Sequence, residues 1–312
     1  MSVMKDRWGA HRADTKYFRE SEFSARLKLL RWLGRQTWIP KGQNRLLYGI
    51  MMPENAPDYP FEVEFFGSRY RGNLSDFIDW MVFVYGSYQR EELTLLEDAV
   101  HYLRTKRGQP ITFVDVGANS GHHTLFMSRI ADQTIAFEPH PGLVQAFEAR
   151  VSLNQLTNVR IMPFALGAKD ETRDFYLETG PNAGTGTFVP NDHEAKVTPM
   201  QLRIRRGDDV FDEEGLPRID LMKVDVEGFE PAVFDGLQRR IRSDFPIILA
   251  ELSQKAWEQF GSEQAFRSAF YEGASFAEVK GRAGRNYKLG RFRYGANVEV
   301  LIVPPQYAEF AR

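Results

Sequence analysis

Residues 113 to 124 read FVDVGANSGHHT, and the fold turns on what this glycine-bearing stretch connects. Upstream, ITFVDV from Ile111 is a short apolar run of the kind that forms a buried strand; downstream, a helix opens at the histidines. Gly117 and Gly121 therefore stand four apart in a strand-to-helix turn, the place where open α/β sheets hold ligands. The pattern is neither the G-x-G-x-x-G of dinucleotide sites nor a P-loop, which ends in Lys and Ser or Thr. With Asp115 two positions before the first glycine and no lysine in the turn, it suits a neutral or cationic ligand better than a pyrophosphate. The structural alternative is that both glycines only permit a tight turn and close packing.

The next strand tips the balance. TIAFEP ends in Glu138, 23 residues beyond Asp115. Rossmann-like nucleoside binders place a carboxylate there, where it accepts hydrogen bonds from the ribose hydroxyls. Taken with the turn, Glu138 points to a nucleoside ligand.

Outward from these strands the chain keeps alternating. Leu93, Leu96, Val100 and Leu103 at helical spacing predict a helix that stops at Gly108, and Leu143, Val144, Phe147 and Val151 predict another that starts near Pro141. NVRIMPFAL from Asn158 reads as a third strand, IDLMKVDV from Ile219 as a fourth and PIILAEL from Pro246 as a fifth, with a helix over 230–241 between the last two. Residues 167–218, rich in Thr, Gly, Asn and Pro and holding DFYLE and MQLRIR, predict an antiparallel excursion. SFAEVKGRA and NVEVLIVP predict a terminal hairpin whose arms are joined by a basic stretch. Strands alternating with helices imply an α/β fold on a parallel sheet with right-handed crossovers. The first 90 residues do not alternate in this way. They are read as an N-terminal extension, substrate- or membrane-facing, ahead of a domain spanning 91–312.

Composition sets the outer limits. The 312 residues are 43% hydrophobic and 26% charged, ordinary for a soluble protein with a sizeable core, and the net charge of -2 argues against nucleic acid as the main partner. Cysteine is absent, which fits a reducing cytoplasm and excludes thiolate chemistry and cysteine-ligated zinc. MSVMKDRWGAHRADTKYFRE has no apolar core and is not a secretory signal. FIDWMVFVYG from Phe77 is far short of the roughly 20 residues of a membrane span, so no transmembrane helix is expected.

As a set, FVDVGANSGHHT, FEPHP, NVRIMPFALG and IDLMKVDVEGFE resemble the FkbM family of S-adenosylmethionine-dependent methyltransferases, over roughly residues 90 to 303. The resemblance implies a Rossmann-like class I methyltransferase fold, a seven-stranded, mostly parallel sheet ending in an antiparallel hairpin. It implies O-methylation, commonly of a sugar hydroxyl in a glycan or of a natural-product hydroxyl. Asp115, Gly117, Asn119, Gly121 and Glu138 are then the cofactor-binding candidates. Where many class I enzymes carry an acidic residue for adenine, this chain reads FALG, so Ala165 and Leu166 offer only backbone groups and apolar contact.

Methyl transfer needs alignment of two reactants and removal of a proton from the acceptor. Asp225 and Glu227, two apart in KVDVEGFE, would share one face of an extended chain, with Lys223 on the other. Asp225 can hold the methionyl ammonium, while Glu227, His123 or His122 can act as the base. A weaker metal reading gathers Asp225, Glu227 and Glu251 around Mg²⁺. His122 and His123 at a helix start can equally cap it or lie at the surface, one of them idle. His140 reads as structural or adenine-adjacent.

Substrate signals are fewer. The D/N-P-P-Y/F motif of amino-methylating nucleic-acid enzymes is missing. Between Glu22 and Glu54 there is no acid, while Arg26, Lys28, Arg31, Arg35, Lys41 and Arg45 are basic; the stretch reads first as a packing helix with a solvated basic face, second as a membrane-surface helix. The six basic residues of Lys280 to Arg293 form either an anion grip or a solvated loop. Trp80, Tyr85 and Tyr88 read as core rather than sugar-stacking. The favoured function is O-methylation of a sugar hydroxyl in a glycan or glycoconjugate, or of another small molecule. A polyketide-type O-methyltransferase stands second, ahead of a nicotinamide-dependent oxidoreductase and a fold that has lost its chemistry.

Overall fold

The computed structural model describes residues 15–36, 43–177, 186–190, 199–282 and 286–311. Lys41 and Arg285, and the side chains of Arg45 and Arg282, lie outside the described residues.

The chain opens with strand β1 (Phe18–Arg19), helices α1 (Ala25–Gly34) and α2 (Gln43–Ile50), the hairpin of β2 (Pro60–Phe65) and β3 (Ser68–Asn73), and helix α3 (Phe77–Tyr85). β1, β2 and β3 form a small sheet, with β1 parallel and β3 antiparallel to the central β2. Helix α4 (Arg90–Arg107) then leads into the alternating part. That part runs β4 (Thr112–Val116), α5 (His122–Met127), β5 (Gln133–Phe137), α6 (Pro141–Leu153) and β6 (Val159–Met162). The excursion follows as β7 (Ala165–Gly167), β8 (Glu171–Leu177), β9 (Gly186–Thr187) and β10 (Met200–Arg206), in the order β7-β10-β8-β9. The expected third strand is thus cut at Pro163: its first half stays in the main sheet and its second half, β7, pairs parallel with β10 instead.

The main sheet is completed by β11 (Leu221–Val224), β12 (Ile247–Leu252), β13 (Ser275–Arg282), β14 (Asn286–Arg291) and β15 (Val298–Val303). Its order is β14-β13-β15-β12-β11-β4-β5-β6, eight strands where seven were expected. The additional one is β14, drawn from the basic stretch read as a connecting loop; it pairs antiparallel with β13 along the sheet edge. Its alternating exposed and partly buried residues explain the pairing: Tyr287 and Leu289 pack inward while Lys288 faces solvent. β13 and β15 do pair antiparallel as the two arms.

Alternation along each strand divides the core. Val114, Val116, Met222 and Val224 face the excursion side, and Phe113, Leu221 and Leu249 face α4, α5 and the N-terminal elements. Glu91 stands in the first turn of α4, and buried residues on both sides of it, from Phe61 and Trp80 to Leu125 and Leu301, make one cluster. No described helix is long and apolar enough to cross a membrane.

Candidate active site

The carboxyl ends of β4, β5, β11 and β12 open into a cleft lined by polar and apolar side chains from both halves of the sheet. Gly117 and Gly121 answer the question their spacing raised, and they answer it differently. At φ +84°, a Cβ on Gly117 would stand 1.9 Å from the backbone oxygen of Asp225, so only glycine lets the ends of β4 and β11 close up. A Cβ on Gly121 would run into the Phe147 ring at 2.2 Å. Gly121 does not line the cleft; it lets α5 start against α6.

Glu138 lies buried at the end of β5 and lines the cleft. Its two oxygens each accept one backbone hydrogen bond, from Asn119 N at 2.9 Å and His140 N at 2.8 Å. A carboxylate oxygen has two lone pairs, so each keeps a position for a further donor. Burial pushes this carboxyl up to about 7, although the two amides pull it down. Around it, Phe137, Pro139, Leu143, Ala165 and Leu166 give apolar lining. His140 caps α6 by accepting from Leu143 N at 3.3 Å, the structural role.

Asp115 is not at the cleft surface. Its Oδ2 accepts from the Thr124 hydroxyl at 2.6 Å, tying β4 to α5, and its register partner on β11 is Lys223. Lys223 does not point away from Asp225 as expected. Residues i and i+2 project to the same side, and its ammonium lies 2.7 Å from Asp225 Oδ2 and 3.8 Å from Glu92 Oε2. Although burial draws its pKa down, Asp225, Glu92, Asp115 and Glu299 hold it well above the ordinary lysine value.

Asp225 and Glu227 are not neighbours on one strand face either. β11 ends at Val224, and Glu227 (φ +52°) and Gly228 (φ +97°) turn the chain sharply. That turn is fixed by Glu230, a residue absent from the expected site, whose Oε1 accepts from Val226 N and Gly228 N at 3.1 Å each. The Mg²⁺ reading fails on the same geometry: among the described residues no group of three acids or histidines is arranged to hold a metal, and Asp225 is already neutralised by Lys223.

His122 and His123 are both buried in the first turn of α5, neither at the surface. The Tyr88 amide donates to His122 Nε2 at 3.3 Å, which places the His122 proton on Nδ1, 3.4 Å from His123 Nδ1. His123 then carries its own proton on Nε2, 3.4 Å from Glu92 Oε2 but out of hydrogen-bond alignment. With its lone pair facing His122, His123 has none left for an acceptor hydroxyl. Burial holds both rings neutral, His122 down at about 3.

Glu251, expected only as a metal ligand, and several residues outside the expected set complete the cleft. Glu251, at the end of β12, lines it and accepts hydrogen bonds from Gln89 and from the protonated carboxyl of Glu299, its partner directly across on β15. Repulsion from Asp225, with burial, raises Glu251 to about 7; burial raises Glu92 to about 8, and burial with the charges of Glu92 and Glu251 holds Glu299 well up. The excursion supplies Phe175 and Phe188, which with Phe229 make an aromatic wall, ring centroids 5.0 and 5.1 Å apart. Thr187 pins it by donating to the Glu227 carbonyl at 2.7 Å. Ile78 and Tyr88 reach the cleft from the N-terminal part, while Trp80 is core. Strand pairing across 165–229 brought the phenylalanines together, and no local signal marks them.

Comparison with known proteins agrees with this construction. Residues 115–280, more than half of the chain, match the model of the Methyltransferase FkbM domain. The hexuronic acid methyltransferase AglP of Haloferax volcanii is 26% identical over 153 residues, 49% of this chain and 61% of that protein. The 2-O-methyltransferase NoeI of Sinorhizobium fredii is 28% identical over 137 residues, 39% of this chain and 56% of that one. The chain thus spans about three fifths of the length of these relatives. A crystal structure of methyltransferase FkbM from Methylobacillus flagellatus covers 71% of this chain and 52% of its own at 13% identity and a TM-score of 0.41, too distant to add to the assignment. The family match over residues 115–280 is what decides: this chain belongs to the FkbM methyltransferase family.

Proposed function

We propose that the protein is an S-adenosylmethionine-dependent O-methyltransferase acting on a hydroxyl of a sugar in a glycan or glycoconjugate. The observation that carries the reading is Glu138: a buried carboxylate at the end of the second parallel strand, with one acceptor position free on each oxygen, faces the cleft. That acceptor set fits the adjacent hydroxyls of a ribose, and the apolar lining beside it fits adenine. The one lysine among the lining residues is engaged by Asp225, which leaves nothing to neutralise the pyrophosphate of a nicotinamide dinucleotide. When bound, S-adenosylmethionine would supply an electrophilic methyl group on a sulfonium centre, and the acidic lining of Asp225, Glu227 and Glu251 favours a cation there.

The remaining work belongs to the chain. Glu251 takes the acceptor's hydroxyl proton: it lines the cleft, is oriented by Gln89 and Glu299, and titrates near neutrality, where a general base is most effective. Asp225 stays paired with Lys223 and orients the acceptor, Glu227 stands exposed at the mouth, and the His122–His123 pair fixes the wall behind. The phenylalanine wall offers apolar and aromatic edges against which a sugar ring can pack. Two relatives, named as a hexuronic acid methyltransferase and a 2-O-methyltransferase, point the same way.

Calorimetric titration with S-adenosylmethionine, S-adenosylhomocysteine and NAD tests this. The first two are expected to bind, and Glu138→Gln to weaken both by about tenfold or more, the cost of losing charge-assisted hydrogen bonds. Binding of NAD alone would sink the reading.

A further inference from the structure

Among the described residues, the large hydrophobic side chains that stand exposed are Leu29, Trp32, Tyr48 and Met52, at 49%, 53%, 39% and 43%. All four come from one short region, the α1–α2 pair and the residues just after it. On α1, Leu27, Leu30, Arg31 and Gly34 turn inward, so the inner face is an ordinary packing face. Leu29 and Trp32, three apart, share the opposite face, while Tyr48 stands exposed near the end of α2 and Met52 two residues beyond it. The guanidinium of Arg26 donates to the Ile50 carbonyl, which sets the start of α1 beside the end of α2.

The charge around these side chains is one-sided. From Phe23 to Pro53 there is no acid, and Arg26 and Lys28 are exposed on α1 beside Leu29. A face of this composition, with Trp, Tyr, Leu and Met outward and arginine and lysine at the rim, is complementary to an anionic lipid surface. A second copy of the chain would bring the same positive rim against itself. We propose that the α1–α2 hairpin docks the protein on membranes carrying anionic phospholipids, with Leu29 and Trp32 entering the headgroup region. The proposal does not depend on the methyltransferase reading, although α3, which packs against α1, carries Ile78 to the cleft and so connects the docking face with the site.

Co-sedimentation with vesicles of phosphatidylcholine mixed with phosphatidylglycerol, against phosphatidylcholine alone, tests it. The protein should pellet with the mixed vesicles, release as salt is raised, and bind at least about tenfold more weakly as Leu29→Ser with Trp32→Ser, or as Lys28→Glu. These positions are exposed, and circular dichroism and melting of the variants should match the parent. Failure of the parent chain to bind the mixed vesicles overturns the proposal. So does a concentration-dependent dimer in sedimentation velocity that the Leu29 and Trp32 substitutions dissociate, since the face would then belong to a second copy.

Discussion

Two buried clusters of charge lie on the α4–α5 side of the sheet, and they are built in opposite ways. In the first, Arg150 of α6 is saturated. Its guanidinium donates to the Arg71 carbonyl at 2.9 Å, the Ser120 carbonyl at 2.6 Å and Asp79 Oδ1 at 2.8 Å, and it stacks 4.2 Å from the Tyr70 ring. Asp79 in turn accepts from the Tyr70 hydroxyl at 2.6 Å and from Asn73 N at 2.8 Å. In the second, Lys223 serves several carboxyls, and Glu92 Oε2, His123 Nε2, Gln89 Oε1 and Glu299 Oε2 have no hydrogen-bond partner. A complete network fixes one arrangement; an incomplete one leaves polar atoms free for something that is not part of the fold. The first cluster ties β3 and α3 to the glycine turn, and the second lies in and behind the cleft.

The largest effect is expected where the network is complete. Arg150→Met leaves Asp79 buried without its cation and should destabilise the fold by roughly 3–5 kcal/mol, read by urea denaturation. Asp79→Asn keeps the shape and removes the charge, and should cost less but in the same direction. If Arg150→Met were neutral, the two clusters would not differ in kind.

Proton linkage weights the second cluster next, since the first adds only Asp76, raised to about 7 by burial and the Asp79 charge. Glu138 and Glu251 in the cleft, with Glu92, Glu299 and Glu230 around it, all have carboxyl pKa values raised by burial or repulsion. A carboxyl whose pKa is higher in the fold than in the unfolded chain holds its proton better in the fold. Its contribution to stability is present below about 4.5 and lost as pH rises through the folded value. With Glu138, Glu230 and Glu251 at about 7 and Glu92 at about 8, the melting temperature should fall towards pH 8, most steeply above about pH 6.5, because below it His122, His123 and His140, held under their ordinary value by burial, pull the other way. A melting temperature flat or rising over that window would mean the cleft carboxyls are solvated.

The same contrast explains what the sequence made legible. The alternation of strand and helix, the turn at Gly117 and the carboxylate at Glu138 are local signals, and each is written in fewer than about ten residues of periodic or turn chemistry. The excursion and the terminal antiparallel arms were legible for the same reason. Arg150, Asp79, Glu92 and Glu299 were not, because each matters through partners far away in sequence: Arg150 Nη1 meets Ser120 across 30 residues, and Arg150 Nη2 meets Asp79 across 71. β14 was missed because six basic residues in one stretch outweigh a period-2 pattern that only its place at a sheet edge reveals. The shared face of Asp225 and Glu227 was lost to the length of β11, which stops at Val224; strand ends are where local reading is weakest, and cleft residues sit at strand ends.

The smallest effect expected is also the most discriminating, because its sign is opposite to that of the first. Glu299 faces Glu251 across an antiparallel pair, one oxygen donating its proton and the other orphaned. Glu299→Gln preserves the volume and the donor to Glu251 while removing a carboxyl that is costly to ionise. The fold should gain about 1 kcal/mol at neutral pH, and the decline of melting temperature above pH 6 should flatten. Activity should move the other way. With a permanent amide donor and no second titrating carboxyl opposite, Glu251 becomes a weaker base at neutral pH, and the pH-rate profile should shift to lower pH with a smaller maximum. Stability raised by removing a titratable carboxyl here, and lowered by removing the charge of Asp79, would show that the cleft holds polar groups at the expense of the fold. Loss of stability in Glu299→Gln would instead place Glu299 with Arg150, as part of the frame.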